Sequence, residues 1–160
     1  MAAPVIRMAR PEDVEAAAEL VVRLKRLNGE FDPMFKVRDD FQQTARKYLQ
    51  EAIVSQSNVV LVADMQGKIV ALVKADLRDR KFYEPKTEGA IIEFYLLPEY
   101  RRQKLGETLL RHTVDKLKEK GAKIVTAEFP SQNMIATSFY EKKRFRRLVC
   151  VYAAEPSETS

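Results

Sequence analysis

Three stretches of the chain carry residues whose types and spacing could do chemistry. The first is an apolar, β-prone run, Ile91-Ile92-Glu93-Phe94-Tyr95-Leu96-Leu97, with a single carboxylate inside it. Strict alternation puts Glu93 on the face of Ile91 and Tyr95. A carboxylate among apolar groups is disfavoured in its charged form, which moves its pKa toward the range a general base needs. The second is the turn that follows, Pro98-Glu99-Tyr100-Arg101-Arg102-Gln103-Lys104-Leu105-Gly106-Glu107, which leads from a strand into a helix. Unpaired backbone N–H groups and the helix dipole make such a turn attractive to phosphate. Arg101, Arg102 and Lys104 add positive charge, and Gly106 lets the backbone approach an anion closely. The third is Asn133 to Phe145, where Asn133, Ala136 and Tyr140 share one helical face at i, i+3 and i+7. Ile135 and Phe139 share another face, the one expected to pack on the sheet. That leaves an amide, a methyl and a phenol for a slender ligand that needs one acid.

Each of these residues also has a plainer reading. Glu93 fits a strand-edge carboxylate paired with Arg or Lys, and Tyr140 fits a core aromatic at a helix end. Arg101 to Lys104 fits a solvated turn, and Asn133 fits an N-cap. His112 lies off the apolar face of its helix and reads as a surface residue, and Cys150 reads as a packed thiol.

The elements that must position these residues follow from apolar periodicity and turn signals. Val5 to Met8 reads as a strand. A helix runs from Pro11 to about Leu27, with Val14, Ala17, Val21 and Leu24 at helical spacing, and Asn28-Gly29 ends it. A loop spans Gly29 to Val37. A second helix, from about Asp39 to Val54, places Phe41, Ala45, Tyr48, Leu49 and Ala52 on one side. Val59 to Met65 and Lys68 to Leu77 form a hairpin about Gln66-Gly67. A polar loop, Arg78 to Thr87, precedes the strand Ala90 to Leu97. Leu105 to Lys120 is a helix with Leu109, Leu110, Val114 and Leu117 on one face and Gly121 at its end. Lys123 to Phe129 is a strand, Gln132 to Lys142 a short helix, and Phe145 to Ala153 a last strand. The order β-α-α-β-β-β-α-β-α-β predicts an α/β fold with a mixed central sheet flanked by helices. One domain spans residues 1–154, and 155–160 is a flexible C-terminal tail.

Composition narrows the function. With 160 residues, 46% hydrophobic and 32% charged, the chain has the balance of one globular domain. It shows no apolar run of membrane-spanning length and no signal-peptide core, so a cytoplasmic location is expected. One cysteine and one histidine leave no material for an intrachain disulfide or a Cys/His zinc site, and no metal is expected. The formal charge of +5 favours anionic partners only weakly, because the basic residues are scattered.

The turn and the short helix together resemble the Gcn5-related N-acetyltransferase superfamily. Arg101 and Gly106 match its [Q/R]-x-x-G-x-[G/A] loop. Asn133-Met134-Ile135-Ala136-Thr137-Ser138-Phe139-Tyr140-Glu141-Lys142-Lys143-Arg144-Phe145 is similar to its N-x-x-A-x-x-F-Y-x-x-x-G-F stretch. The element order over residues 4–153 agrees. Lys104 and Arg144 depart from the pattern, each standing where a glycine is usual. If position 104 needs a positive φ, lysine carries a steric penalty there.

The resemblance implies acetyl-CoA as co-substrate, lying in a V-shaped split between the strands Ala90 to Leu97 and Lys123 to Phe129. It places the pyrophosphate on backbone N–H groups from Arg102 through Gln103, Lys104, Leu105 and Gly106 to Glu107. Main-chain groups around Leu96 and Leu97 would meet the pantetheine arm, Asn133 and Ala136 would touch the cofactor, and the Leu96 N–H would hold the thioester oxygen. Glu93 then takes a proton from the attacking amine, directly or through water, and Tyr140, a phenol of ordinary pKa ~10, protonates the leaving thiolate. No covalent enzyme intermediate is expected.

The expected acceptor is a small polyamine or diamine. Ile92-Glu93-Phe94-Tyr95 is similar to the corresponding strand of diamine acetyltransferases, although those carry two adjacent acids. The loop Asn28 to Phe35 and the segment Arg78 to Glu88 are expected to flank the acceptor, with Glu30, Asp32, Glu84 and Glu88 attracting a cation. The alternatives are a protein N-terminus or lysine as acceptor, or a non-catalytic acetyl-CoA sensor or nucleic-acid-associated module. Nucleic acid is disfavoured because basic and aromatic residues are not interleaved on one strand pair. A homodimer is possible on the family's habits.

Overall fold

The computed structural model describes residues 2–102 and 104–159. Five strands form one sheet in the order β1-β2-β3-β4-β5: β1 (Val5–Met8), β2 (Asn58–Met65), β3 (Lys68–Asp79), β4 (Thr87–Leu96) and β5 (Ile124–Ala127). The first four pair antiparallel, whereas β5 lies parallel to β4. The β2–β3 hairpin turns on Gln66 and Gly67, both at positive φ, as a two-residue loop between right-twisted strands requires. The helices are α1 (Val14–Phe31), α2 (Phe41–Val54), α3 (Leu105–Glu119) and α4 (Met134–Lys142).

Burial follows the apolar stripes. On α1, Val14, Ala17, Ala18, Leu20, Val21 and Leu24 are buried, and on α2, Ala45, Leu49 and Ala52. Leu105, Leu109, Leu110, Thr113 and Leu117 of α3 are buried, with the Thr113 hydroxyl donating to the Leu109 carbonyl. The central strands β2 and β3 are buried over nearly continuous runs, as strands covered on both faces must be. No helix among the described residues is long and apolar enough to cross a membrane.

Four expectations need correction. First, α1 does not stop at Asn28-Gly29 but continues to Phe31. Gly29 sits inside the helix, where a Cβ would come within 3.3 Å of the Phe35 carbonyl oxygen, so this glycine admits the following loop rather than ending the helix. Second, Ile135 does not pack on the sheet. It is 83% exposed, while Tyr140 on the other face of α4 is buried; burying an aromatic cluster outweighs burying one isoleucine. Third, Phe145 to Ala153 forms no strand: residues 146–153 pair with no strand among the described residues and are exposed. Fourth, Cys150 is therefore an exposed thiol, not a packed one. In the expected tail, Pro156–Glu158 makes a single 3-10 turn.

Candidate active site

The sheet opens at its β4–β5 junction. Parallel pairing runs from Glu88↔Ile124 to Ile91↔Ala127 and ends with the Glu128 N–H donating to the Ile91 carbonyl at 3.0 Å. Beyond that point β4 stays paired with β3 as far as Ala71↔Leu96, so residues 92–96 have no strand partner on the β5 side among the described residues. A register shift marks the same place. Glu93 pairs with Lys74 but Ile91 pairs with Ala75, leaving Ile92 as the extra residue of a bulge. Lys74 and Ala75 point to opposite faces, so Glu93 shares a face with Tyr95 but not, as strict alternation implied, with Ile91.

Main-chain groups line this split. The Leu97 N–H donates to the Val70 carbonyl at 2.9 Å, which turns it toward β3. The Leu96 N–H and carbonyl therefore face the split, since adjacent residues alternate along a ladder. The Leu96 carbonyl accepts from Arg101 Nε at 3.1 Å, and the Arg101 guanidinium lies 5.3 Å from the Tyr95 ring centre. Arg101 thus anchors the turn onto the end of β4.

Behind Arg101, α3 starts at Leu105 with no side-chain cap, so its first-turn N–H groups have no intrahelical partner. Lys104 is in the left-handed conformation, φ 58°, and so is Arg144, φ 68°; both replacements for the usual glycines stand where a glycine would relieve strain. Gly106 has an ordinary φ. A Cβ there would meet Phe139 at 3.5 Å and Leu96 at 3.9 Å, which is normal contact, so its value lies in the close fit of α3 against α4 and β4. Lys143 Nζ donates to Glu107 Oε1 at 2.6 Å, and this pair holds the Glu107 carboxyl below its usual range. Arg102 is exposed. Gln103 lies outside the described residues.

Tyr140 stands on the same side as the turn. Its ring stacks on Phe129 at 5.4 Å and meets Phe94, Phe139 and Phe145 edge-on at 6.3, 5.1 and 5.2 Å. Burial in this aromatic box pushes the phenol pKa well above the ordinary tyrosine value. Among the described residues the one sealed, unpartnered side-chain oxygen is Asn28 Oδ1. Asn133 is the N-cap of α4, its Oδ1 accepting from the Ala136 N–H at 3.0 Å, so the plain reading of Asn133 holds geometrically.

Glu93 lies on the opposite face of β4, 2% exposed. One carboxylate oxygen accepts from Lys25 Nζ of α1 and the other from the Tyr48 hydroxyl of α2, each at 2.7 Å. Lys74 Nζ sits 4.5 Å from the Tyr48 ring centre and donates to Asp76 at 2.6 Å, and Asn58 donates to the same Asp76 oxygen at 2.7 Å. Tyr48 is pushed far above the ordinary phenol range by burial first and then by the Glu93 charge. The sequence reading missed Lys25, Tyr48 and Lys74 as members of this site. The signal was present: Lys25 and Asn28 continue the apolar stripe of α1, and Lys74 interrupts the buried run of β3.

The structure therefore brings Leu96, Leu105, Gly106, Glu107, Ala136 and Tyr140 to one side of β4 and sets Glu93 on the other, while the Arg101 guanidinium lies over the Tyr95 ring on the Glu93 face and the Leu97 N–H turns to β3. It does not bring Glu84 and Glu88 to the split. Glu88 is the second residue of β4, at the end away from the split, and accepts a hydrogen bond from the Thr126 hydroxyl.

Comparison with known proteins agrees with this architecture. An uncharacterized N-acetyltransferase from Archaeoglobus fulgidus is 26% identical over 106 residues, 66% of this chain and 72% of its own length. A spermidine N(1)-acetyltransferase from Thermoplasma acidophilum is 31% identical over 100 residues, 62% of this chain and 60% of its own length. The crystal structure of a predicted acetyltransferase with acetyl-CoA from Clostridium acetobutylicum superposes with a TM-score of 0.79 at 16% identity, covering 97% of each chain. The model of the acetyltransferase (GNAT) family matches residues 23–145, from within α1 to the end of the aromatic box, and the chain belongs to that family.

Proposed function

We propose that this acetyltransferase takes the acetyl group of acetyl-CoA and passes it by direct attack to a primary amine of a small polyamine or diamine. The observation that carries this reading is the split itself, entered from two faces that carry different chemistry. On the α3–α4 side, the uncapped start of α3 suits a diphosphate, and the Leu96 N–H and carbonyl suit the amide-bearing arm of the carrier. A shallow concavity of about 490 Å³ between α3 and α4, lined by Glu107, Ile135, Phe139, Lys142 and Lys143 among others, offers room and positive charge for the nucleotide end.

Acetyl-CoA supplies an activated thioester, and the chain's residues do the rest. The Leu96 N–H donates to the carbonyl oxygen as charge grows on it. Tyr140, protonated at any ordinary pH, gives its hydroxyl proton to the sulfur as the carbon–sulfur bond breaks. The amine arrives from the other face, and Glu93 receives its proton through Tyr48, Lys25 or a water, since both carboxylate oxygens already have donors. Attack from one face with departure toward the other needs no covalent enzyme intermediate.

The named activity of the Thermoplasma acidophilum relative supports a polyamine acceptor, as does a buried carboxylate on the amine side. The test is thiol release from acetyl-CoA with a panel of amines: spermidine, spermine, putrescine, peptides with free N-termini and lysine peptides. The reading expects kcat/KM for a polyamine to exceed that for any peptide by at least about tenfold, ~1.4 kcal/mol in the transition state. A peptide as the best acceptor would overturn the choice of acceptor, and no release with any amine would overturn the reading itself.

A further inference from the structure

A lysine side chain carries a primary amine at the end of a flexible four-carbon stem. Lys25 of α1 brings that amine to the carboxylate proposed to deprotonate the acceptor: its Nζ donates to Glu93 Oε1 at 2.7 Å. A general base must lie about 2.6–3.2 Å, heavy atom to heavy atom, from the proton it takes. Lys25 already meets the distance asked of an external amine. Because the Tyr48 hydroxyl holds the other carboxylate oxygen, Nζ stands on the oxygen that such an amine would approach.

Two lysines reach this network, and their surroundings differ. Lys74 is sealed, its side chain 7% exposed, with Nζ on Asp76 and over the Tyr48 ring. Lys25 keeps 39% of its side chain exposed, beside 2% for Glu93. Among the described residues Glu93 is the one hydrogen-bond partner of Lys25 Nζ, so a single bond has to break for the amine to move.

The gap lies next to it. Glu93 belongs to the stretch 92–96 where β4 has no strand partner on the β5 side among the described residues, and α1 packs against β4. The thioester oxygen, held at the Leu96 N–H, would lie along the same stretch. An external amine that donates to Glu93 has the same gap to cross.

We propose that Lys25 is an internal acetyl acceptor, its Nζ taking the acetyl group of acetyl-CoA when no external amine is bound. The inference rests on the catalytic roles proposed above for Glu93 and Tyr140. Nζ gives one proton to Glu93 and, as a neutral amine, attacks the thioester carbon. The N–C bond forms and the C–S bond breaks. Tyr140 protonates the leaving sulfur, and the second proton of Nζ, lost as the amide forms, goes to water. Solvent then takes the proton from Glu93 and returns one to Tyr140. In sum, an ammonium and acetyl-CoA become an amide, CoA thiol and one proton. The modification removes the cation from the Glu93 network, so an enzyme left with acetyl-CoA alone lowers its own activity toward amines.

The test is incubation of the purified full chain with acetyl-CoA and no amine, followed by intact mass and peptide mapping. Lys25 is expected to gain an acetyl group at least about tenfold faster than any other lysine, because it is held beside the reacting carbon. The rate per molecule should not change on dilution of the protein. Tyr140→Phe and Glu93→Gln should each slow acetylation of Lys25 by about tenfold or more while leaving the slow chemical acetylation of surface lysines unchanged. Lys25→Arg, which keeps the cation, should lose the fast phase altogether. Lys25 reacting no faster than surface lysines, or at a rate indifferent to Tyr140→Phe, overturns the proposal. A rate per molecule that rises with protein concentration also overturns it, since another copy then does the work. Thiol release with the panel of amines, run alongside, separates the two levels. Release with an amine while Lys25 stays unmodified in its absence rejects this inference alone; no release with any amine and no acetyl group on Lys25 rejects the catalytic reading beneath it as well.

Discussion

The two faces of β4 manage polar groups in opposite ways. On one face Glu93 is buried with both oxygens occupied, and its partners reach on through Lys25, Tyr48, Lys74, Asp76 and Asn58. On the other face Tyr140 has a ring enclosed by four phenylalanines, and burial alone raises its phenol pKa. A saturated network holds a charge in place, whereas burial in an apolar box keeps a phenol in its neutral form. The difference teaches that the two residues proposed to move protons are set by different physics: Glu93 is held by partners, Tyr140 by desolvation.

The comparison breaks most directly at Tyr140. Tyr140→Phe keeps the ring and removes the proton, so turnover should fall about 10²- to 10⁴-fold with the acetyl-CoA Kd within a few fold; a loss confined to Kd would make the residue a wall of the site. The raised phenol pKa also has a consequence for unmodified enzyme. The proton donor stays loaded through the pH range in which an ordinary tyrosine ionises, so kcat should show no alkaline limb below about pH 10. A limb at lower pH that vanishes in the Phe variant would show that desolvation does not govern this group.

On the Glu93 face the effects should be smaller and pH-dependent. Glu93→Gln is expected to cost about 10- to 100-fold near neutral pH and to recover as pH rises and free amine becomes available, whereas a defect equal at all pH values would assign Glu93 to structure alone. Lys25→Met asks whether the network holds the carboxylate in place for the amine. Removing the cation leaves a buried charge with one partner, so kcat/KM for the amine is expected to fall about 10-fold or more with the acetyl-CoA Kd within a few fold. An unchanged kcat/KM would reject that role.

The smallest expected change lies in the turn. Lys104→Gly should relieve left-handed strain and raise stability by about 0.5–1 kcal/mol, visible as a higher Tm. If the lysine charge serves the phosphates, the same variant binds acetyl-CoA more weakly at low salt, and the difference shrinks at high salt.

The sequence and the structure agree where local pattern suffices. The period of Leu109, Leu110 and Leu117 makes α3 legible, and the Gln66-Gly67 turn makes the hairpin so. The placement of Tyr140 on the far face from Ile135 was also readable, but which face turns inward was not, because the aromatic box draws Phe94 from β4 and Phe129 from just beyond β5. The bulge at Ile92 depends on register with β3, which no single run encodes. Leu148 to Ala153 fails for a related reason: its β-propensity is plain, but a strand exists only when a partner edge is present. Lys25 and Lys74 were charges at core positions, and treating them as anomalies would have found the network around Glu93.

The central claim is that the split between β4 and β5, gripped by the start of α3, receives the thioester carrier. Titration of isotope-labelled protein with acetyl-CoA, followed through backbone amide resonances, tests it most directly. The account predicts saturable shifts at Leu96 and across Leu105, Gly106 and Glu107, with the amides around Glu88 and the β2–β3 turn unmoved. Saturation with no change at Leu96 or at the start of α3 would contradict it.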